Sequence, residues 1–276
     1  MKISSFYSYL TQAVKNGEIK SINEAFSQLI PKGIVAFDLA STYFDEKTPD
    51  ELSKTAKDNG FMYSSVYDLT KNFDYKNPDI LREMKERTKA NLYKTAQIGS
   101  SLFLPIPSIS GSAENEQDMD LRKKVVYEYF NDVTESAKEF GITTIVENAS
   151  SLGSPFSSKE NIDEILKTIP DIRIAFDTAN FWYAHEDTLN VARTFAKKIA
   201  HIHLKDIMLG TENAVEKNGK KGESCAIGRG IIPTKQTVSL LKTAGYDGYL
   251  SIEIGSNIDI YKKVLSSLEY VKTILW

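Results

Sequence analysis

The sequence predicts a single-domain α/β protein, a closed (β/α)8 TIM barrel spanning residues 1–276. Three observations carry this expectation. Eight short apolar runs alternate along the chain with polar, helix-favouring stretches. The runs are rich in Ile, Val and Phe with little period-2 alternation, which implies burial on both faces and hence a parallel sheet. The length of 276 residues is close to the roughly 250 typical of one such barrel.

The expected strands lie near residues 3–7, 34–40, 61–68, 101–106, 142–148, 172–178, 199–205 and 249–254. Helix signals fall between them. Thr48-Pro49-Asp50-Glu51 and Asn77-Pro78-Asp79 each place a proline just inside a capped helix start. Val126, Phe130, Val133, Ala137 and Phe140 recur at spacings of four and three, so one apolar stripe faces the sheet. Gly141 then stands where a helix stops, and Ile142 to Val146 begin the next strand. An open doubly wound sheet is the competing architecture, but no Gly-x-Gly-x-x-Gly follows the first strand to support it. No repeat, low-complexity tract or Pro/Gly-rich linker divides the chain. Asp206 to Pro233 is long, polar and rich in Gly and Lys; such a segment either covers the site or is disordered.

Composition narrows the function. Hydrophobic residues at 41% and charged residues at 26% describe an ordinary globular protein. A net charge of -3 gives no electrostatic basis for binding nucleic acid. The single cysteine, Cys225, excludes an internal disulfide and fits a reducing compartment. No apolar segment approaches the roughly 20 residues of a membrane span, and the N-terminus lacks a signal-type apolar region. These features predict a cytoplasmic protein with a small-molecule partner; homo-oligomerisation stays open.

The chemistry lies at strand ends. Glu147, Asp177, His203 and Glu253 each close a strand-like segment. Alternation puts Ile145 with Glu147, Ala175 with Asp177, His201 with His203 and Ser251 with Glu253 on shared faces, so all four can meet at the barrel mouth. Carboxylates at the end of apolar runs are costly unless paired or coordinated. Three carboxylates and one imidazole form an oxygen-dominated set suited first to Mn²⁺, also to Mg²⁺ or Co²⁺, and able to admit Zn²⁺. The bland alternative is that these are salt-bridged barrel residues.

With these residues in view, the chain resembles the xylose isomerase-like superfamily of sugar isomerases and epimerases. The matching pieces are Val146-Glu147-Asn148, Phe176-Asp177-Thr178-Ala179-Asn180, His201-Ile202-His203-Leu204-Lys205-Asp206, Gly228-Arg229-Gly230 and Gly248 to Glu253. Ser4-Ser5-Phe6 and Gly33 to Asp38 resemble its first two strands. The resemblance implies one divalent metal held by Glu147, Asp177, His203 and Glu253. It further implies that Glu147 and Glu253 move a proton on opposite faces of a sugar, sugar phosphate or polyol through a metal-stabilised enediolate.

Asn180 stands where the family often has histidine, Ile207 to Leu209 where ketose epimerases place an arginine, and Gly153 where many carry a further glutamate. These departures concern substrate-holding positions. Substrate contacts are expected from Asn180, Lys205, Asp206, Arg229 and Trp182, the last with Tyr183 as an apolar wall. Each has a structural alternative: an ion pair for Lys205 and Asp206, a solvated arginine, a packed aromatic. His201 is expected to be a buried, hydrogen-bonded residue below His203, and His185 a surface residue. Three histidines are too few for the three-metal cluster of the superfamily's apurinic-site nucleases. An inosose-type dehydratase on the same metal site is the runner-up, because α-proton abstraction starts both reactions. A non-catalytic barrel ranks third, since binding needs no pair of proton-transferring glutamates.

Overall fold

The computed structural model describes residues 1–70, 73–109 and 113–275. Seven strands in chain order are β1 (Lys2–Phe6), β2 (Ile34–Ala40), β3 (Met62–Thr70), β4 (Leu102–Pro107), β5 (Thr143–Glu147), β6 (Arg173–Asp177) and β7 (Ile199–Leu204). They are followed by β8 (Asp206–Met208), β9 (Val215–Lys217), β10 (Lys220–Cys225) and β11 (Tyr249–Ile252). The first seven and β11 form a closed barrel in the order β1-β11-β7-β6-β5-β4-β3-β2. Parallel pairing of Lys2 to Ser5 with Tyr249 to Ile252 closes it. The eight expected strand positions are all present.

Helix boundaries follow local chemistry. Thr48 and Glu51 form a reciprocal capping box at the start of helix Pro49–Asn59. The Asn77 side chain accepts from the N–H groups of Asp79 and Ile80 at the start of helix Pro78–Gln97. Helix Glu116–Lys138 buries Val126, Phe130, Val133 and Ala137, and Gly141 beyond it adopts φ +67°. The main core lies between strands and helices, joining Phe37, Phe103 and Phe176 to Leu52, Phe130, Val191 and Leu241. Inside the barrel a small apolar layer of Leu104, Ile145 and Ala175 is accompanied by the fully buried Asp38, His201 and Ser251.

The stretch from Asp206 to Pro233 is neither plain loop nor disorder. Strands β8, β10 and β9 make a three-stranded antiparallel sheet. Asn218 (φ +51°) and Gly219 (φ +77°) turn the β9–β10 hairpin, the left-handed pair that a tight two-residue turn requires. The Asn218 amide donates to the carbonyls of Ser150 (2.8 Å) and Tyr183 (3.0 Å), and Gly255 N–H donates to Ser224 Oγ. The sheet is thereby tied to the loops after β5, β6 and β11, on the C-terminal face. No helix among the described residues is long and apolar enough to cross a membrane.

Candidate active site

His203 is the hub. It lies on β7, is buried, and has the Phe6 ring 5.0 Å from its own. Its Nδ1 is 2.5 Å from Glu147 Oε1 at the end of β5 and 3.4 Å from Glu253 Oε2 just past β11. Glu253 is placed there by the barrel ladder, since its N–H donates to the Leu204 carbonyl at 2.9 Å. The potential ligand atoms of Glu147, His203 and Glu253 all lie within 4.8 Å of one another. Asp177, fully buried at the end of β6, accepts from the N–H groups of Ala179 (2.7 Å) and Asn180 (2.8 Å) through Oδ1. Its Oδ2 accepts from Lys205 Nζ at 2.7 Å, and the same ammonium pairs with Glu253 Oε1. Asp177, the fourth expected ligand, lies outside that group of ligand atoms and is linked to it through Lys205 and Glu253.

The charges are strongly coupled. Burial disfavours the imidazolium of His203, but Glu147, Glu253 and Asp38 outweigh it and push its pKa up to about 10. Burial, reinforced by the carboxylates of Asp177 and Glu147 and opposed by Lys205 and His203, pushes Glu253 up to about 7. Burial also opposes the charge on Lys205, yet Asp177, Glu253 and Glu147 hold its pKa well above the ordinary value. Asp177 shows the reverse balance: burial raises it, and Lys205 more than compensates.

A divalent cation fits this set on two grounds. The donors are carboxylate oxygens and one imidazole nitrogen, a combination that hard and borderline divalent ions accept. Glu253 Oε2 is buried without a hydrogen-bond partner among the described residues, although it lies in a polar cluster. Such an orphan is costly unless something binds it.

The other expected substrate residues divide. Asn180 is buried, donates to the Asn148 carbonyl at 2.9 Å, and shares with Glu147 a cavity of about 200 Å³. Trp182 stands under the hairpin, with Lys220 Nζ 4.4 Å from its ring centroid. Asp206 is not a rim residue. It is fully buried and accepts from the N–H groups of Ile207, Gly228, Gly230 and Ile232. A Cβ on Gly230 would lie 2.3 Å from Asp206 Oδ1, and one on Gly228 would strike the Tyr270 ring. The Gly-Arg-Gly spacing thus serves a backbone clasp on Asp206. Arg229 is exposed and lines a separate groove with Ser266, Glu269 and Tyr270. His201 is buried below His203 with Nε2 3.0 Å from Asp38 Oδ1, and His185 is exposed.

Several mouth residues carry no signal that sequence pattern alone interprets. Asn148 is fully buried, lines the cavity beside Glu147, and has both side-chain polar atoms without partners among the described residues. Tyr67 and Tyr9 flank Phe6 at 5.4 and 5.1 Å between ring centroids. A second cavity of about 580 Å³, lined by Ser8, Ser41, Thr42, Tyr43 and Tyr67 among others, opens beyond Leu69, which borders both.

A closed parallel barrel with carboxylates and an imidazole gathered at the C-terminal strand ends defines the class to which this molecule is assigned. The chain belongs to the xylose isomerase-like TIM barrel family, whose model matches residues 31–271. An inosose dehydratase of Clostridium tetani (strain Massachusetts / E88) is 24% identical over 204 residues, covering 71% of this chain and 66% of the relative. Against other curated inosose dehydratases the match spans about half of their length, 45% in one from Geobacillus thermodenitrificans. Among solved structures, an IolI protein with a bound zinc atom superposes over 100% of this chain and 98% of its own, with TM-score 0.78 and 14% identity. A D-psicose 3-epimerase from Clostridium cellulolyticum H10, with D-tagatose, gives TM-score 0.73 at 17% identity over 100% and 99%. At such identities these structures share the fold, and the fold alone.

Proposed function

We propose that this protein is a divalent-metal-dependent isomerase or epimerase of a sugar, sugar phosphate or related polyol. One observation carries the reading: Glu147 and Glu253 reach the same ring nitrogen of His203, at 2.5 and 3.4 Å, from strands separated by β6 and β7 in the barrel. General acid/base carboxylates must come within hydrogen-bond reach of the migrating proton, and this convergence brings two of them to one site.

Glu147, His203 and Glu253, with Asp177, would hold the cation, Mn²⁺ by the donor chemistry, and it would supply Lewis acidity at a substrate carbonyl. One glutamate takes the proton from the carbon beside that carbonyl, and the other returns a proton on the opposite face. Lys205 keeps Asp177 and Glu253 in register and balances their charge. Asn148 and Asn180 offer amide groups to substrate hydroxyls from the cavity wall beside Glu147. The Phe6 ring packs beside His203, with Tyr9 and Tyr67 against Phe6.

Dehydration is a second reading, favoured by Lys205. Its ammonium touches Glu253, so a cation stands next to a base, where it can hydrogen-bond a departing β-hydroxyl. The curated relatives named as inosose dehydratases add to it.

Incubation of Mn²⁺-loaded protein in D₂O with ketoses, ketose phosphates and inososes, followed by NMR, tests both readings. Deuterium at a carbon beside the carbonyl, lost in Glu147→Gln, is the expected result. Loss of water instead of simple exchange selects the dehydratase. Absence of exchange and of dehydration across the panel, with metal bound, counts against both.

A further inference from the structure

The buried polar layer beneath the mouth has no assigned role. Asp38, on β2, is 0% exposed and receives hydrogens from three strands. Ser64 and Ser65 donate to its Oδ1 at 2.8 and 2.7 Å, and Ser251 donates to its Oδ2. His201 Nε2 lies between the two oxygens at 3.0 and 3.2 Å. Neighbouring residues on a strand normally point to opposite faces. Ser64 and Ser65 both reach Asp38 because the β2–β3 register slips between Phe37 and Asp38, pairing Phe37 with Tyr63 and Asp38 with Ser65. A bulge is a built device for re-aiming a side chain.

These four donors nearly saturate a carboxylate, which offers about four lone-pair sites. What remains of Oδ2 faces His203 Nε2 at 3.8 Å. That nitrogen is buried and has no hydrogen-bond partner among the described residues. On the other edge of the same ring, Nδ1 faces Glu147 and Glu253. Asp38, His201 and His203 could be viewed as a second cation site, since their ligand atoms also cluster within 4.8 Å. The hydroxyls and His201 already occupy the carboxylate, so a cation would have to break those bonds. Accepting from the His203 N–H keeps those bonds: it asks Oδ2 to take one further hydrogen and the 3.8 Å separation to close into hydrogen-bond range.

We infer that Asp38 is the positioning residue for His203. With the 3.8 Å separation closed in the metal-bound site, it accepts from Nε2–H, fixing the tautomer and turning the Nδ1 lone pair toward Glu147 and Glu253. The inference rests on His203 being a metal ligand. Ligating histidines commonly give their other ring N–H to a carboxylate, and loss of such a partner costs about 10- to 100-fold in metal affinity. The anchoring by three serines explains why an otherwise costly buried carboxylate is kept rigid at this depth.

The test is zinc affinity, measured by competition with a chromophoric chelator, in wild type and Asp38→Asn. The amide matches the carboxylate in shape but can present an N–H toward Nε2, favouring the wrong tautomer. Affinity should fall about 10- to 100-fold with far-UV dichroism unchanged. A variant that folds and binds zinc within about threefold of wild type would overturn the inference. Wild type that binds no zinc would remove the metal-site reading itself, a different result. Should Asp38→Asn not fold, ¹⁵N NMR of histidine-labelled, zinc-loaded wild type decides the matter. A hydrogen on His203 Nε2 with Nδ1 ligated supports the inference, and the reverse assignment overturns it.

Discussion

Asp206 and Glu253 are both carboxylates at strand ends on the same face of the barrel, and the structure uses them in opposite ways. Asp206 accepts four backbone N–H groups within its clasp, so its charge is spent on architecture. Glu253 has one oxygen on Lys205 and leaves the other, Oε2, without a hydrogen bond among the described residues. The contrast teaches how to sort buried acids: a saturated carboxylate holds the chain, while an unsaturated one in a polar cluster is available for chemistry. Residue type and strand-end position cannot make that distinction.

The sharpest way to break the comparison is isosteric removal of charge at the mouth. Glu147→Gln and Glu253→Gln should each lower turnover by about 10²- to 10⁴-fold, the range for a lost general acid or base. Far-UV dichroism should hold, because neither residue caps backbone, while the thermal midpoint should fall as Lys205 or His203 loses a charge partner. Deuterium wash-in at saturating metal measures the first effect and scanning calorimetry the last. Near-native exchange in either variant would sink the two-glutamate mechanism.

The clasp should respond in the converse sense. Gly230→Ala pushes a methyl against Asp206 Oδ1 and the Ile207 carbonyl, each 2.3 Å from the ideal Cβ position. Overpacking of this kind costs about 1–3 kcal/mol. Chemical denaturation should show that loss while kcat at low temperature stays close to wild type. An unaltered denaturation midpoint would mean that the clasp yields easily and contributes little.

A smaller effect is expected at the hairpin turn. Asn218 sits at φ +51° and latches the tip to Ser150 and Tyr183. Glycine tolerates that backbone but makes no latch, so Asn218→Gly isolates the hydrogen bonds. Each is worth about 0.5–1.5 kcal/mol. Proteolysis within residues 209–222 should quicken several-fold at constant global stability. Unchanged cleavage would show that β8–β10 pairing and the contacts of Lys217, Lys220 and Ser224 hold the hairpin down without the Asn218 side chain.

Legibility tracks sequence distance. Most barrel strands are readable because they bury a run of Ile, Val, Leu or Phe, β3 with Tyr63, Ser64, Ser65 and Val66 being the weakest, and β5, β6 and β11 each lead directly into a carboxylate. The hairpin is not. Val215–Lys217 and Lys220–Cys225 carry Lys, Glu and Gly, with little strand propensity. Asn218-Gly219 was the available signal, a strong short-range hairpin marker. The Asp38 layer depends on a register slip between β2 and β3, and Gly230 on a carboxylate 24 residues earlier. Neither relation leaves a local pattern. Asp206 and Arg229 invited a substrate role for the same reason: their types suit ligands, and only the fold reveals the clasp and the separate groove.

Cys225 offers the finest gauge of the clasp. It pairs with Asp206 across β8 and β10 and is 5% exposed. Burial first, and then the Asp206 charge, push its thiol up to about 12. The thiolate is the reacting species, so its depletion and its inaccessibility act together. Alkylation of native protein at pH 8 should be slow and should keep rising with pH well past 9, the region where an unhindered thiol levels off. In Gly230→Ala the rate at pH 8 should increase, because opening the clasp exposes the sulfur to water and lowers its pKa toward the ordinary value. Mass spectrometry of timed iodoacetamide reactions reads both trends. A native Cys225 that labels as fast as an unfolded control would mean that this edge of the sheet opens freely. The distinction between a spent and an available carboxylate would then rest on the mouth alone.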